Sequence, residues 1–460
     1  MLQLRGGFWL ETNARKTVMP TTSNEKATFC DGLTRRSMLK AGFLGVSGFS
    51  LPDILQLQSA SASSVVGDTR AVIFVELAGG PSQFETYDPK PDAPIEYRGE
   101  FGVVATNVPG VLFSELMVEQ SKLMDKLSIV RSVHHQSNSH DPSSHLSQTG
   151  YYKRGAKGGR SSADTMPCFG SVVAKLRGPN VNGLPAYVGV PKVMRNGQAS
   201  YLGKAYNPFE TVRDPNTPEF RVENLSPVSG LTDGRFNDRR GLLTSFDGQR
   251  RLFDLEGSST AIDRFREQSF ELVTGPRARA AFDIEAESDS LRDGYGRTTT
   301  GQNLLLARRL VESGVTCVTV SVPGWDDHGK LASGLKQRGP AYDQGMAALV
   351  RDLYERGLNE NVLVVAMGEF GRTPRYNSAA GRDHWGAVMS VLLAGGGLQP
   401  GVVGSSNSKG EFPIEAPYRP ENVLAMIYRH LGIDPQLTFD DFSGRPRYLL
   451  EEHRLISEIC

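Results

Sequence analysis

The chain has 460 residues, of which 51 are basic and 51 acidic, so it lacks the excess of positive charge that nucleic acid would demand. After residue 62 there is no run of about twenty uninterrupted apolar residues, which excludes a membrane span in that part by the length rule for helices. Cys30 lies ahead of the apolar run near the start, and Cys168, Cys317 and Cys460 make an odd set that argues against a disulfide framework while leaving room for one bridge.

The first feature in chain order is Arg35-Arg36 directly before the apolar run 41–55, followed by Ala60-Ser61-Ala62. Paired arginines, a short apolar core and small residues at a cleavage position read as a twin-arginine signal. Residues 1–62 are therefore expected to be a signal and its flanks, cut after Ala62. The implied partner is the twin-arginine translocase, and the implied destination is the periplasm or the extracellular space. The stretch ahead of the arginines is long, and Met19 is an alternative start.

Beyond it, short β-branched runs alternate with amphipathic segments, the pattern of an α/β fold with helices on both faces of a mostly parallel sheet. Strands are predicted at 71–76, 127–130, 186–190, 315–322, 361–366 and 388–393, and helices at 115–126, 169–176, 302–312, 342–355 and 421–430. The domain is expected to span 68–455, with 196–300, rich in charge and glycine and poor in strand pattern, as a helical insertion.

Ligands of open parallel sheets bind beyond the carboxyl ends of the strands, and four strand ends carry chemistry. Glu76 ends the first strand ahead of Gly79-Gly80-Pro81-Ser82, and a carboxylate there is costly to bury unless it is paired or binds a cation. The run from His134 to His145 holds four of the eight histidines, His134, His135, His140 and His145. Asp326-Asp327-His328 follows the most apolar strand, and carboxylate with imidazole suits a divalent metal. Glu369-Phe370-Gly371-Arg372 and Arg382-Asp383-His384-Trp385 place acid, base and arginine together, with Arg372 or Arg382 able to clamp an anionic oxygen. Tight turns, helix caps, a solvated loop and structural ion pairs are the alternative readings of these residues.

Taken together, these clusters resemble the alkaline-phosphatase-like superfamily of phosphatases, sulfatases and phosphodiesterases. The motifs Gly79-Gly80-Pro81-Ser82, Gly368-Glu369-Phe370-Gly371-Arg372-Thr373-Pro374 and Gly381-Arg382-Asp383-His384-Trp385, with the twin-arginine signal, are similar to a bacterial domain of unknown function, family fifteen hundred and one. The resemblance implies a three-layer α/β/α sandwich and a divalent metal, with zinc, calcium, magnesium and manganese undistinguished. The candidate ligands are Glu76, Asp326, Asp327, His328, Glu369, Asp383 and His384; Arg372, Arg382 and His135 are candidate substrate contacts, and His140 and His145 candidate catalytic groups. Two departures stand out: counted back from Thr149-Gly150, His140 occupies the position of the superfamily's Cys, Ser or Thr nucleophile, and Phe370 stands where its Asp-His-Gly has His. The expected function is an exported metal-dependent hydrolase of a phosphate or sulfate ester. The alternative is a non-catalytic relative that binds an anionic glycan or a partner protein.

Overall fold

A computed structural model describes residues 69–153, 165–218, 220–222 and 275–460. The signal expected at 1–62 and most of the middle of the 196–300 stretch lie outside the described residues. Strands β1 (Ala71–Leu77), β2 (Leu127–Val133), β3 (Tyr187–Val190), β4 (Phe209–Glu210), β5 (Cys317–Val322), β6 (Val362–Met367), β7 (Met389–Gly395) and β8 (Gly401–Val403) form one sheet in the order β8-β2-β7-β6-β1-β5-β3-β4. β7 is antiparallel to both of its neighbours, and every other pairing is parallel.

The sheet is buried on both faces, which is why its strands read as nearly continuous apolar runs. In β1 the side chains alternate: Ile73 and Val75 join the core under α3 (Thr299–Ser313) and α4 (Leu331–Glu355), while Val72 and Phe74 join that under α2 (Phe169–Leu176) and α5 (Pro420–His430). α3 starts where the Thr298 side chain accepts the Gly301 N–H, satisfying an N-terminal donor. Among the described residues no helix is long and apolar enough to cross a membrane.

Three elements differ from the sequence expectation. The helix predicted at 115–126 is two short pieces, Val118–Ser121 and the 3₁₀ turn Met124–Lys126, with the first held by Asp343 accepting the Glu119 and Gln120 N–H groups. α4 begins eleven residues before the predicted 342, running through Pro340, because its buried face from Leu331 to Leu335 packs into the core and outweighs the proline's missing donor. The stretch expected to be an insertion contributes β4 to the edge of the main sheet, and its last part forms helices Pro276–Phe282 and Asp289–Tyr295 beside α3 and α4.

Candidate metal centre

The parallel strands β1, β2, β5 and β6 deliver their following loops to one end of the sheet, and β7, running the other way, brings its preceding loop to the same end. Residues 140, 326, 328, 369, 383 and 384 meet there. The loops approach so closely that side chains between them are excluded. A Cβ on Gly79, whose φ is +115°, would lie 2.5 Å from the Asp326 nitrogen, and one on Gly381 would lie 2.2 Å from the His328 carbonyl carbon.

Helix α1 (His140–Thr149) begins directly at the cluster, so its first residue faces Asp326. His140 Nε2 lies 3.2 Å from Asp326 Oδ2, while His384 Nε2 and His328 Nε2 lie 3.0 and 3.1 Å from Asp326 Oδ1. The last two nitrogens are 2.8 Å apart. Each imidazole is held at its other nitrogen: His140 Nδ1 at 2.7 Å from Glu369 Oε1, His328 Nδ1 at 2.7 Å from Asp383 Oδ1, and His384 Nδ1 at 2.9 Å from the Asn138 carbonyl oxygen. A carbonyl or carboxylate accepts, so each Nδ1 carries the hydrogen and each Nε2 turns its lone pair inward. Three lone pairs and a carboxylate facing one another at about 3 Å repel unless a cation lies among them.

The hydrogen bond to Glu369 raises the pKa of His140 despite partial burial. Burial alone would raise Asp326, but the hydrogen bond and charge of Arg372 hold its carboxyl well below the usual carboxylate range. The bond from His328 lowers Asp383. Glu369 is itself fixed by the Gly79 N–H, 3.1 Å from both carboxylate oxygens.

Several residues singled out from the sequence stand elsewhere. Arg382 is fully buried between Phe84 and Tyr376, and its five N–H donors go to Glu85, Tyr97, Thr373 and Pro374. It fastens loops and offers nothing to a ligand. Arg372 is equally buried and ties the Gly79, Gly80, Trp325 and Arg382 carbonyls to Asp326 Oδ1, so it orients a candidate ligand. Asp327 turns away to Arg338. His145 is buried, bonded to the Tyr151 carbonyl and the Met166 N–H rather than to the cluster. His135 donates from Nε2 to the Glu369 carbonyl at 2.7 Å and accepts the Ser137 N–H, and burial lowers its pKa to about 4. Glu76 is buried, accepts from Ser321 Oγ at 3.0 Å, and bonds none of the three imidazoles. Burial and the charge of Glu369 push its pKa up to about 8.

One arginine was missed. Arg195, in the loop after β3, is exposed, and among the described residues its guanidinium has no hydrogen bond or ion pair. Its position is fixed from the backbone, for Ser144 Oγ donates to its carbonyl at 2.9 Å and Asn196 Nδ2 bonds Asp141, both in the first turns of α1. Its charge offsets a small part of the rise that burial and Glu369 impose on Glu76. The available signal was its place at a strand's carboxyl end.

The role of Arg382 makes a direct prediction. Arg382→Met leaves the carboxylate of Glu85, 1% exposed, without its partner, and should lower unfolding stability by about 3 kcal/mol or more in urea denaturation. Adding Glu85→Gln should recover part of the loss; equal stability of Arg382→Met and the parent would contradict the assignment.

Among solved structures the chain is similar to the PsFucS1 sulfatase from Pseudoalteromonas sp., at 13% identity over 84% of this chain and 71% of that one, TM-score 0.36. It is similar to a phosphonate monoester hydrolase from Silicibacter pomeroyi at 13% identity, over 80% of this chain and 74% of that one, TM-score 0.36. A TAB5 alkaline phosphatase variant with bound magnesium matches at 10% identity, over 79% of this chain and 98% of that one, TM-score 0.36. No curated protein matches the sequence significantly. The motifs that build the cluster all fall within residues 69–460, the span matched by the family model described as Protein of unknown function (DUF1501), and the chain belongs to that family.

Proposed function

We propose that the protein is a divalent-metal-dependent hydrolase of phosphate or sulfate esters, exported by the twin-arginine route, with His140, Asp326, His328 and His384 as its metal ligands. The observation that carries this reading is the inward turn of three Nε2 atoms onto one carboxylate, each imidazole being held from behind by a carboxylate or carbonyl. That is the second layer of bonding by which proteins orient histidine ligands. The donor atoms also fit an ion: bonds of about 2.0–2.1 Å set neighbouring ligand atoms roughly 3.0–3.4 Å apart, close to the spacings in the cluster. Among the described residues His140, Asp326 and His384 form a group whose donor atoms all lie within 4.8 Å of one another; His328 stands outside that group, beside Asp326 and His384. Three nitrogens and a carboxylate favour zinc or manganese over calcium or magnesium, which prefer oxygen.

When bound, such an ion polarises an anionic ester and makes water more acidic. The chain's own groups do the rest. Glu369 keeps the His140 proton on Nδ1, Asp383 does the same for His328, and Arg372 fixes the carboxylate plane of Asp326. Arg195, exposed and fixed beside the first turns of α1, is the cation offered to the ester's anionic oxygens. With His140 in place of a hydroxyl or thiol, water rather than a side chain is the attacking group. That same departure favours the second reading, in which the protein holds an ion and an anionic glycan without turnover.

The test is elemental analysis of protein purified without chelator, followed by a screen of aryl phosphates and sulfates. One equivalent of zinc or manganese with turnover supports the hydrolase. Metal without turnover moves the reading to binding, and the lack of metal refutes the centre. Arg195→Ala should raise KM for an active ester by about 10-fold or more, the worth of a charge-assisted hydrogen bond, with metal content unchanged.

A further inference from the structure

Residues along a strand point alternately to opposite sides, so in the two-residue strand His384–Trp385 the imidazole faces the cluster and the indole faces away from it. On the indole's side lies a cavity of about 560 Å³, walled by Trp385, Phe412, His134, His135, Gln136 and Asn138. We infer that this cavity binds an uncharged sugar ring, stacked on Trp385 and Phe412.

The wall is built for a flat, neutral guest. The Trp385 ring is fixed by its Nε1 donating to the Glu411 carbonyl at 2.7 Å, and Phe412 is 51% exposed although it borders the cavity. Among the described residues no Lys, Arg, Asp or Glu lines the cavity. Burial lowers the pKa of both His134 and His135, which keeps them neutral near pH 7. Arg419, the nearby cation that acts on both histidines, is bonded to Glu421 at 2.7 and 3.0 Å and so is largely cancelled. An ionic group would gain nothing here, whereas a pyranose presents an apolar face to aromatic rings and a rim of hydroxyls to the amides of Gln136 and Asn138. Asn138 commits its Oδ1 to the Gly386 N–H and its carbonyl to His384 Nδ1, which leaves its Nδ2 hydrogens to donate. The same residue thus borders the sugar cavity and holds a candidate metal ligand.

This inference rests on the ester-hydrolase reading for its meaning: the alcohol part of the ester is a saccharide, with its charged group at the cluster and a neutral ring behind Trp385. The experiment titrates the full chain with cellobiose, lactose, maltotriose and xylotriose while following tryptophan fluorescence. Trp325 is 1% exposed and packed on Tyr342, so a sugar-dependent change that disappears in Trp385→Phe reports on this cavity. Expected is saturation by at least one saccharide at millimolar concentration, with Phe412→Ala about 5-fold weaker or more and metal content unaltered. No change up to about 50 mM for all four, undiminished binding by Phe412→Ala, or a response to adenosine in their place would overturn it. Sugar binding without turnover of any ester would sink the hydrolase reading and leave the sugar site standing; aryl-ester turnover without sugar binding would do the reverse.

Discussion

Asp326→Ala should abolish stoichiometric metal binding, whereas Glu369→Gln should keep the metal with about 10–100-fold lower affinity. The difference in rank follows from position. Asp326 supplies both oxygens that lie between the three imidazoles, at 3.0 to 3.2 Å from their Nε2 atoms. Among the described residues the Glu369 carboxylate bonds His140 Nδ1 and the Gly79 N–H, so its loss loosens one ring without removing a donor atom from the centre. The Asp326→Ala chain should remain folded, because the Arg372 guanidinium retains the Gly79, Gly80, Trp325 and Arg382 carbonyls. Competition against a chromogenic chelator measures both affinities, and circular dichroism checks the fold. Equal affinities in the two variants would refute the division between ligand and supporting group.

Glu76→Gln should make the metal-free protein more stable at alkaline pH and leave it nearly unchanged in acid. In the folded chain Glu76 keeps its proton until about pH 8, instead of the usual 4.5, because burial and the neighbouring charge of Glu369 disfavour its anion. Between those values the unfolded chain has lost the proton and the folded chain has not, so stability falls as pH rises through this window and levels off above it. The full effect is on the order of 4 kcal/mol at about pH 9. Glutamine cannot ionise and escapes it. Urea denaturation of both proteins in chelator, from about pH 4 to about pH 9, should give curves that coincide in acid and diverge above about pH 5. Parallel curves would refute the buried, proton-holding state of Glu76.

The six long strands were legible because a sheet buried on both faces writes itself as unbroken β-branched runs. The two edge strands were not, since Phe209–Glu210 and Gly401–Val403 are too short to carry a pattern. Nor does any residue of β7 announce that it runs against its neighbours, because an apolar run reads alike in either direction. At the site, Asp326, His328 and His384 were read as candidate ligands together with Glu76, Asp327, Glu369 and Asp383 from their places at strand ends, whereas His140 was read as a catalytic group and stands beside Asp326 in the structure. The division of His140, Asp326, His328 and His384 from Glu369 and Asp383 was not legible, as it depends on which atom of each ring points inward, a matter of ångströms between segments far apart in sequence. Arg372 and Arg382 misled for a physical reason: arginine in a glycine-rich loop reads as exposed, but here closely packed loops leave many carbonyls that only a buried fork of donors can satisfy.

The reversal of β7 has a consequence for how such a centre could be altered. The chain leaves the sheet at Met367 and re-enters at Met389 on the same end, with no crossover helix between. That single excursion carries one proposed ligand, His384, and the carboxylates behind the other two imidazoles, Glu369 and Asp383. Swapping residues 368–388 between relatives would therefore change His384, both carboxylates that hold the other two imidazoles and the Trp385 side of the cavity in one step, leaving the strands that anchor both ends untouched.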